Sequence, residues 1–145
     1  MGLNDFVTIG RETKKMKEIH VVGAIIIKDT HILCAQRPKG KSLELLWEFP
    51  GGKIEPNETP ESALIREISE ELGCTIKIQS FFDKTSYTYS FGTVHLSTYL
   101  CELKDKEPSL LEHHNLKWLS IEKLQKLEWA PADIPAVQKL QQLDN

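Results

Sequence analysis

The chain has 145 residues, with 18 Lys and Arg against 21 Asp and Glu and a formal charge of −3. That length suits a single domain whose core closes without disulfides or a structural metal. Hydrophobic residues at 40% and charged residues at 27% mark a globular chain, and the missing basic excess excludes a general nucleic-acid coat protein.

No apolar run approaches the roughly 18–20 residues of a membrane span. Met1 to Met16 carry no apolar h-region, so no secretory signal is expected. Cys34, Cys74 and Cys101 are widely spaced, and no CxxC pair occurs. Free thiols in a reducing cytoplasm are the expectation.

Residues 1–16 are polar and aperiodic and read as a flexible N-terminal arm, with residues 17–145 as one domain. Ile19 to Ile27 is apolar and β-branched, which predicts a buried strand. Asp29-Thr30 predicts a turn, and His31 to Gln36 its hairpin partner. Trp47 to Phe49 predicts a short strand that Pro50-Gly51-Gly52 stops, with Trp47 packed under the following loop.

Thr59 to Leu72 is the clearest helix. Thr59 suits the N-cap, Pro60 the first helical position, Glu61 the first turn and Gly73 the C-terminal stop. Leu64, Ile65, Ile68 and Leu72 predict its core stripe. Thr75 to Ile78, Phe81 to Tyr89, Thr93 to Leu103 and Leu116 to Leu119 predict strands. Ile121 to Leu127 and Ile134 to Leu143 predict helices. The irregular interleaving predicts an α/β fold with a mixed sheet and helices on its faces.

Another face of the long helix carries the chemistry. Glu67, Glu70 and Glu71 lie at i, i+3 and i+4, within an arc of about 100°. Like charges at that spacing cost about 0.2–0.5 kcal/mol per pair, which a solvated face tolerates and a bound cation reverses. Gly51-Gly52 upstream would let backbone carbonyls approach an ion. Clustered carboxylates, one carbonyl and several waters suit Mg²⁺. Arg66 can orient the acids through its planar fork.

The stretch Gly52-Lys-Ile-Glu-Pro-Asn-Glu58 … Arg66-Glu67-Ile-Ser-Glu70-Glu71-Leu-Gly73-Cys74 resembles the Nudix box. Seven positions of invariant type match: Gly52, Glu58, Arg66, Glu67, Glu70, Glu71 and Gly73. At ordinary residue frequencies a chance match at one start is on the order of one in 10⁸. Cys74 departs from the final aliphatic but is small and apolar enough to pack there.

The resemblance implies a Nudix fold, an α/β/α sandwich around a mixed sheet. It implies hydrolysis of nucleoside diphosphates linked to another moiety, with Mg²⁺ or Mn²⁺ as cofactor. By motif position it implies Glu67, Glu70 and Glu71 as metal ligands, with the Gly51 carbonyl as a fourth. Glu58 corresponds to the acid that pairs with Arg66, and Gly52 and Gly73 are supporting positions.

The similarity extends to the MutT-like branch, which removes pyrophosphate from nucleoside triphosphates. Trp47-Glu48-Phe49-Pro50-Gly51-Gly52-Lys53-Ile54-Glu55 carries that branch's pattern, and Arg37 matches its arginine at the end of the second strand. Glu112, six residues before Trp118 of Trp-x-Ser, matches an acid that serves as a further metal ligand or as the base. Asp133 in Ala130-Pro131-Ala132-Asp133-Ile134-Pro135 matches the base-reading position. Arg37, Glu48, Phe49 and Asp133 are therefore the candidate substrate-binding residues. Arg66, Glu70, Glu71 and Glu112 are the candidate catalytic residues.

The 8-oxoguanine-specific members carry Asn at the place of Asp133. An ionised Asp only accepts hydrogen bonds, which favours an exocyclic amine such as cytosine N4. The alternative role for Asp133 is a helix cap. Three functions stay open. The first is removal of pyrophosphate from oxidised purine nucleotides of the 8-oxo-dGTP type. The second is the same reaction on CTP, dCTP or modified cytosine nucleotides. The third is nucleotide sensing without turnover, against which the intact acid set argues. A nucleoside triphosphate is the expected partner of a monomer or homodimer, with no nucleic acid polymer and no membrane. His113-His114 read as a surface loop, and Trp129 and Phe91 as core.

Overall fold

The computed structural model describes residues 6–9 and 12–143, with side chains from Met16 onward. Within the segment read as an arm, β1 (Phe6–Ile9) and β2 (Glu12–Lys15) pair antiparallel as a separate ladder. Residues 1–5 and 10–11 lie outside the described residues.

The remaining chain forms β3 (Glu18–Lys28), β4 (His31–Gln36), β5 (Trp47–Glu48), β6 (Gly51–Lys53), α1 (Pro60–Leu72), β7 (Ile76–Tyr89), β8 (Gly92–Leu103), β9 (Asn115–Ser120) and α2 (Ile134–Leu143). The sheet runs β5-β4-β3-β8-β7, with β6 also on β3 and β9 also on β4. β3 and β8 pair parallel, and their neighbours pair antiparallel. The sheet is therefore mixed, as the element order predicts.

Alternation along β3 feeds two cores. Val22, Ala24 and Ile26 meet Leu64, Ile68 and Leu72 of α1 on one face. Ile25 meets Trp47, Phe49, Trp129, Val137 and Leu140 on the α2 face. Each buried aliphatic contributes about 1.5–3 kcal/mol of transfer free energy. One helix per face gives the sandwich.

Several elements differ from the sequence reading. Ile65 is 41% exposed, and Ala63 takes its place in the α1 core. The two strands read at 75–78 and 81–89 are one strand, β7, interrupted by register shifts at Ile78/Ser80 and Phe81/Asp83. A bulge of this kind breaks the period-2 pattern without ending the ladder. Ile121–Lys126 is a 3₁₀ helix. Trp47 packs in the α2-side core. Pro50 does not end strand structure, because β6 follows at once and pairs Gly51 with Gly23 and Gly52 with Val22.

Candidate active site

The site begins with how α1 is held. Thr59 Oγ1 accepts the Ser62 N–H, and Ser62 Oγ accepts the Thr59 N–H, each at 3.1 Å. This reciprocal box fixes the N-terminus. Gly73 adopts φ 63° and ends the helix by donating to Ser69 O. β6 lies against the acidic face so closely that only glycine fits. A Cβ on Gly52 would stand 2.1 Å from Glu67 Oε2, and one on Gly51 would stand 1.9 Å from Val22 O.

Arg66 organises one half of the acids. Its Nε and Nη2 fork onto Glu58 at 2.7 and 2.8 Å. Its Nη1 donates to Glu67 Oε1 at 2.7 Å and Glu70 Oε2 at 3.3 Å, and Nη2 also reaches Lys53 O at 3.1 Å. The Arg66 hydrogen bonds, with help from the Glu55 N–H, hold the Glu58 carboxyl down at about 2.

Glu71 has no such partner. Its side chain is 19% exposed, and Oε1 is buried without a hydrogen bond. Burial first, and the charges of Glu48 and Glu67 next, push its carboxyl up to about 9. Glu70 is exposed and turned to Arg66.

Across the cavity Arg37 Nη1 donates to Glu48 Oε1 at 3.0 Å, while its Nε donates to Ser42 O at 2.8 Å. His113 does lie on a loop, where His114 is exposed, but the His113 side chain is buried and lines the cavity. Its Nε2 is 3.0 Å from Glu48 Oε2 and 3.8 Å from Glu71 Oε1. The only sequence signal for it was its place beside Glu112. Glu112 is exposed and lines the same cavity.

Asp133 is brought in by the segment before α2. Trp47 N–H donates to Glu128 O and Ala130 N–H to Trp47 O, both at 2.8 Å, so residues 128–130 dock beside β5. Asp133 is then buried, and its Oδ2 accepts the Phe49 N–H at 3.0 Å. That bond is the role the side chain plays in place of helix capping. Burial, more than the nearby Glu48 charge, raises its carboxyl well above the usual range. Tyr89 OH accepts the Ala132 N–H at 2.8 Å and stacks on Phe91 at 5.0 Å. Phe91 is not core: it is 42% exposed and lines the cavity. Trp129 is core, as read from the sequence, and packs on Phe49.

One cavity of about 570 Å³ joins these groups. Glu67, Glu71 and Glu112 line it together with Arg37, Glu48, Phe49, Phe91 and Asp133. Gly51 and Gly52 line it as well. Among the described residues no three acidic, histidine or cysteine side chains already converge as a closed cation cage. The residues nonetheless fit a divalent cation. A buried carboxylate oxygen lacks any partner, like charges surround it, and backbone without side chains lies alongside.

The family model described as NUDIX domain matches residues 17–140. The chain belongs to the Nudix family. It is a Nudix hydrolase, and members of the family use a divalent cation. A CTP pyrophosphohydrolase of Escherichia coli K12 is 40% identical over 125 residues, covering 85% of this chain and 91% of that protein. An 8-oxo-dGTP diphosphatase of the same strain is 35% identical over 129 residues, covering 88% and 100%. The solution structure of a DNA mismatch repair protein MutT (family Nudix hydrolase) from methicillin-resistant Staphylococcus aureus 252 is 54% identical to this Nudix chain. It covers 88% of this chain and 98% of its own, with a TM-score of 0.73. Among the described residues no helix is long and apolar enough to cross a membrane.

Proposed function

We propose that this Nudix hydrolase is a Mg²⁺-dependent nucleoside triphosphate pyrophosphohydrolase that releases a nucleoside monophosphate and pyrophosphate. The observation that carries the reading is Glu71 Oε1, a buried acceptor without a donor, beside Glu67 in a cavity that also holds Asp133. Such an atom is stabilised by a cation and costs stability without one. When bound, the cation neutralises phosphate charge and acidifies a water.

The chain's own residues do the rest. Glu67, Glu70 and Glu71 hold the cation, with the Gly51 carbonyl as a further donor. Arg66 keeps Glu67 and Glu70 oriented. Arg37 contacts phosphate. Glu112, which forms no hydrogen bond or ion pair among the described residues, takes the proton as water adds to phosphorus. The P–O anhydride bond breaks and pyrophosphate leaves.

The favoured substrates are oxidised purine triphosphates of the 8-oxo-dGTP type. Asp133 supports this through its burial, which shifts its carboxyl toward the neutral form, and that form both donates and accepts, as the Asn of the 8-oxoguanine-specific members does. The cytosine reading is kept by one observation, the 40% identity to a protein named CTP pyrophosphohydrolase.

Pyrophosphate release with Mg²⁺ across ordinary, 8-oxo-purine and 5-modified cytosine triphosphates tests both. An oxidised purine should give the highest kcat/KM. Asp133→Asn should retain that rate within about 10-fold, and Asp133→Ala should lose about 100-fold or more. A cytosine preference that Asp133→Asn abolishes would establish the second reading. No release from any triphosphate would overturn both.

A further inference from the structure

Lys104 to His114 join β8 to β9, and backbone hydrogen bonds pin the second half of this loop at both ends. Ser109 N–H donates to Leu72 O at 2.7 Å, and His114 N–H to Gln36 O at 2.8 Å. Between the pins Leu110, Leu111 and Glu112 are exposed, but the His113 side chain is only 4% exposed. A loop gives up imidazole hydration where fixed partners replace it.

Glu48 supplies that partner. His113 Nε2 is 3.0 Å from Glu48 Oε2, and Arg37 Nη1 is 3.0 Å from Glu48 Oε1. Both oxygens of Glu48 are therefore occupied. The 3.8 Å separation from Nε2 to Glu71 Oε1 is too long for a hydrogen bond, so that oxygen keeps its lone pairs. Facing a carboxylate, Nε2 carries the imidazole proton. Nδ1, buried and without a partner, carries the lone pair.

We propose that His113 is a positioning residue: it donates from Nε2 to Glu48, fixes that carboxylate against Arg37, and keeps Glu71 Oε1 open toward the cation. The inference rests on Glu71 as a cation-holding residue. It also leaves Glu48, close to the acid cluster, with both oxygens already engaged. The imidazole acts here through geometry, by holding the Glu48 carboxylate in place. Partners that orient ligating groups typically alter metal affinity or activity about 10–100-fold.

The test separates position from bulk. The amide nitrogen of Gln reaches about as far from the backbone as Nε2, and that of Asn about as far as Nδ1. Mn²⁺ is titrated into the nucleotide-free full chain, and the free ion is followed by electron paramagnetic resonance. His113→Asn should bind Mn²⁺ about 10-fold more weakly than the unsubstituted chain, and His113→Gln within about 3-fold. Long-range ¹H–¹⁵N spectra of the metal-free protein should show the Nε2–H tautomer at His113, with its signals displaced in Glu48→Ala.

Unchanged Mn²⁺ binding by His113→Asn overturns the proposal. So does equal weakening by Asn and Gln, or an Nδ1–H tautomer. If His113→Asn does not fold, the tautomer and its response to Glu48→Ala decide. Glu71→Gln serves as the control for the underlying site. Normal Mn²⁺ binding by that variant sinks the cation reading itself. Loss there, with binding intact in His113→Asn, sinks only the positioning role.

Discussion

Glu71 and Arg66 sit five residues apart on one helix and meet opposite electrostatic surroundings. Arg66 is saturated by Glu58, Glu67 and Glu70, and Glu71 is left to desolvation and like charge. Gln at position 71 has nearly the same shape and no charge. Glu71→Gln should therefore lower kcat/KM about 100-fold or more while the circular-dichroism spectrum is unchanged. Activity at the unsubstituted level would remove Glu71 from the site. Arg66→Lys tests the fork. An ammonium cannot serve Glu58 with two parallel donors and Glu67 with a third. Its kcat should fall about 10-fold, with a lower thermal midpoint as Glu58 loses its partner. A variant with unchanged kcat and midpoint would show that the fork is dispensable.

At the scale of elements, β6 depends on two missing side chains. A Cβ on Gly52 would occupy the space of Glu67 Oε2 at 2.1 Å. Gly52→Ala should therefore displace the Glu67 carboxylate and lower kcat about 10-fold or more. Gly40→Ala is the comparison. Gly40 has φ 82° and nothing within 4 Å of a built Cβ, so its cost should fall on stability alone. Equal kcat values in the two variants would refute the close-approach argument. The same strand shows what could be read from the chain. Every signal for α1 was local, in Thr59, Pro60 and Gly73, and the helix formed where they marked it. β6 was missed because Pro50-Gly51-Gly52 has low strand propensity, and its pairing partner Val21–Gly23 lies far back in sequence. Tertiary pairing overrides local preference in such cases. The Nudix box was legible because one helix and its preceding loop carry it. Glu48 with His113, 65 residues apart, share no period, so only the folded chain joins them. The sequence reading takes Asp133 as an ionised acceptor, because its burial cannot be read from its neighbours in sequence.

Over the whole molecule, a chain of net charge −3 gathers several acids around one cavity, where the proposed function places a polyanion. The cost should appear as a pH dependence of folding in the absence of divalent cation. Burial pushes the Glu71 carboxyl up to about 9 in the folded chain, against an ordinary value of 4.5. Between those values the folded state retains a proton that the unfolded state has released. Stability is then fully present below 4.5 and is lost as pH rises toward 9. Asp133, also raised, acts in the same direction from its own ordinary value upward. Glu58 acts oppositely: held at about 2, its stabilisation is present above 4.5 and lost as pH falls toward 2. Urea midpoints measured without divalent cation should therefore fall from pH 5 to pH 9. The Glu71 share of that slope cannot exceed about 1.4 kcal/mol per pH unit. Glu71→Gln should flatten the slope, because it no longer has a proton to lose there. Saturating Mg²⁺ should flatten it in the unsubstituted protein, since the cation selects the ionised carboxylate and stabilises the fold most where that form prevails. A midpoint independent of pH in the metal-free protein, or a slope unaltered by Glu71→Gln, would mean that Glu71 is ionised in the folded chain throughout this range and that its charge is met by water.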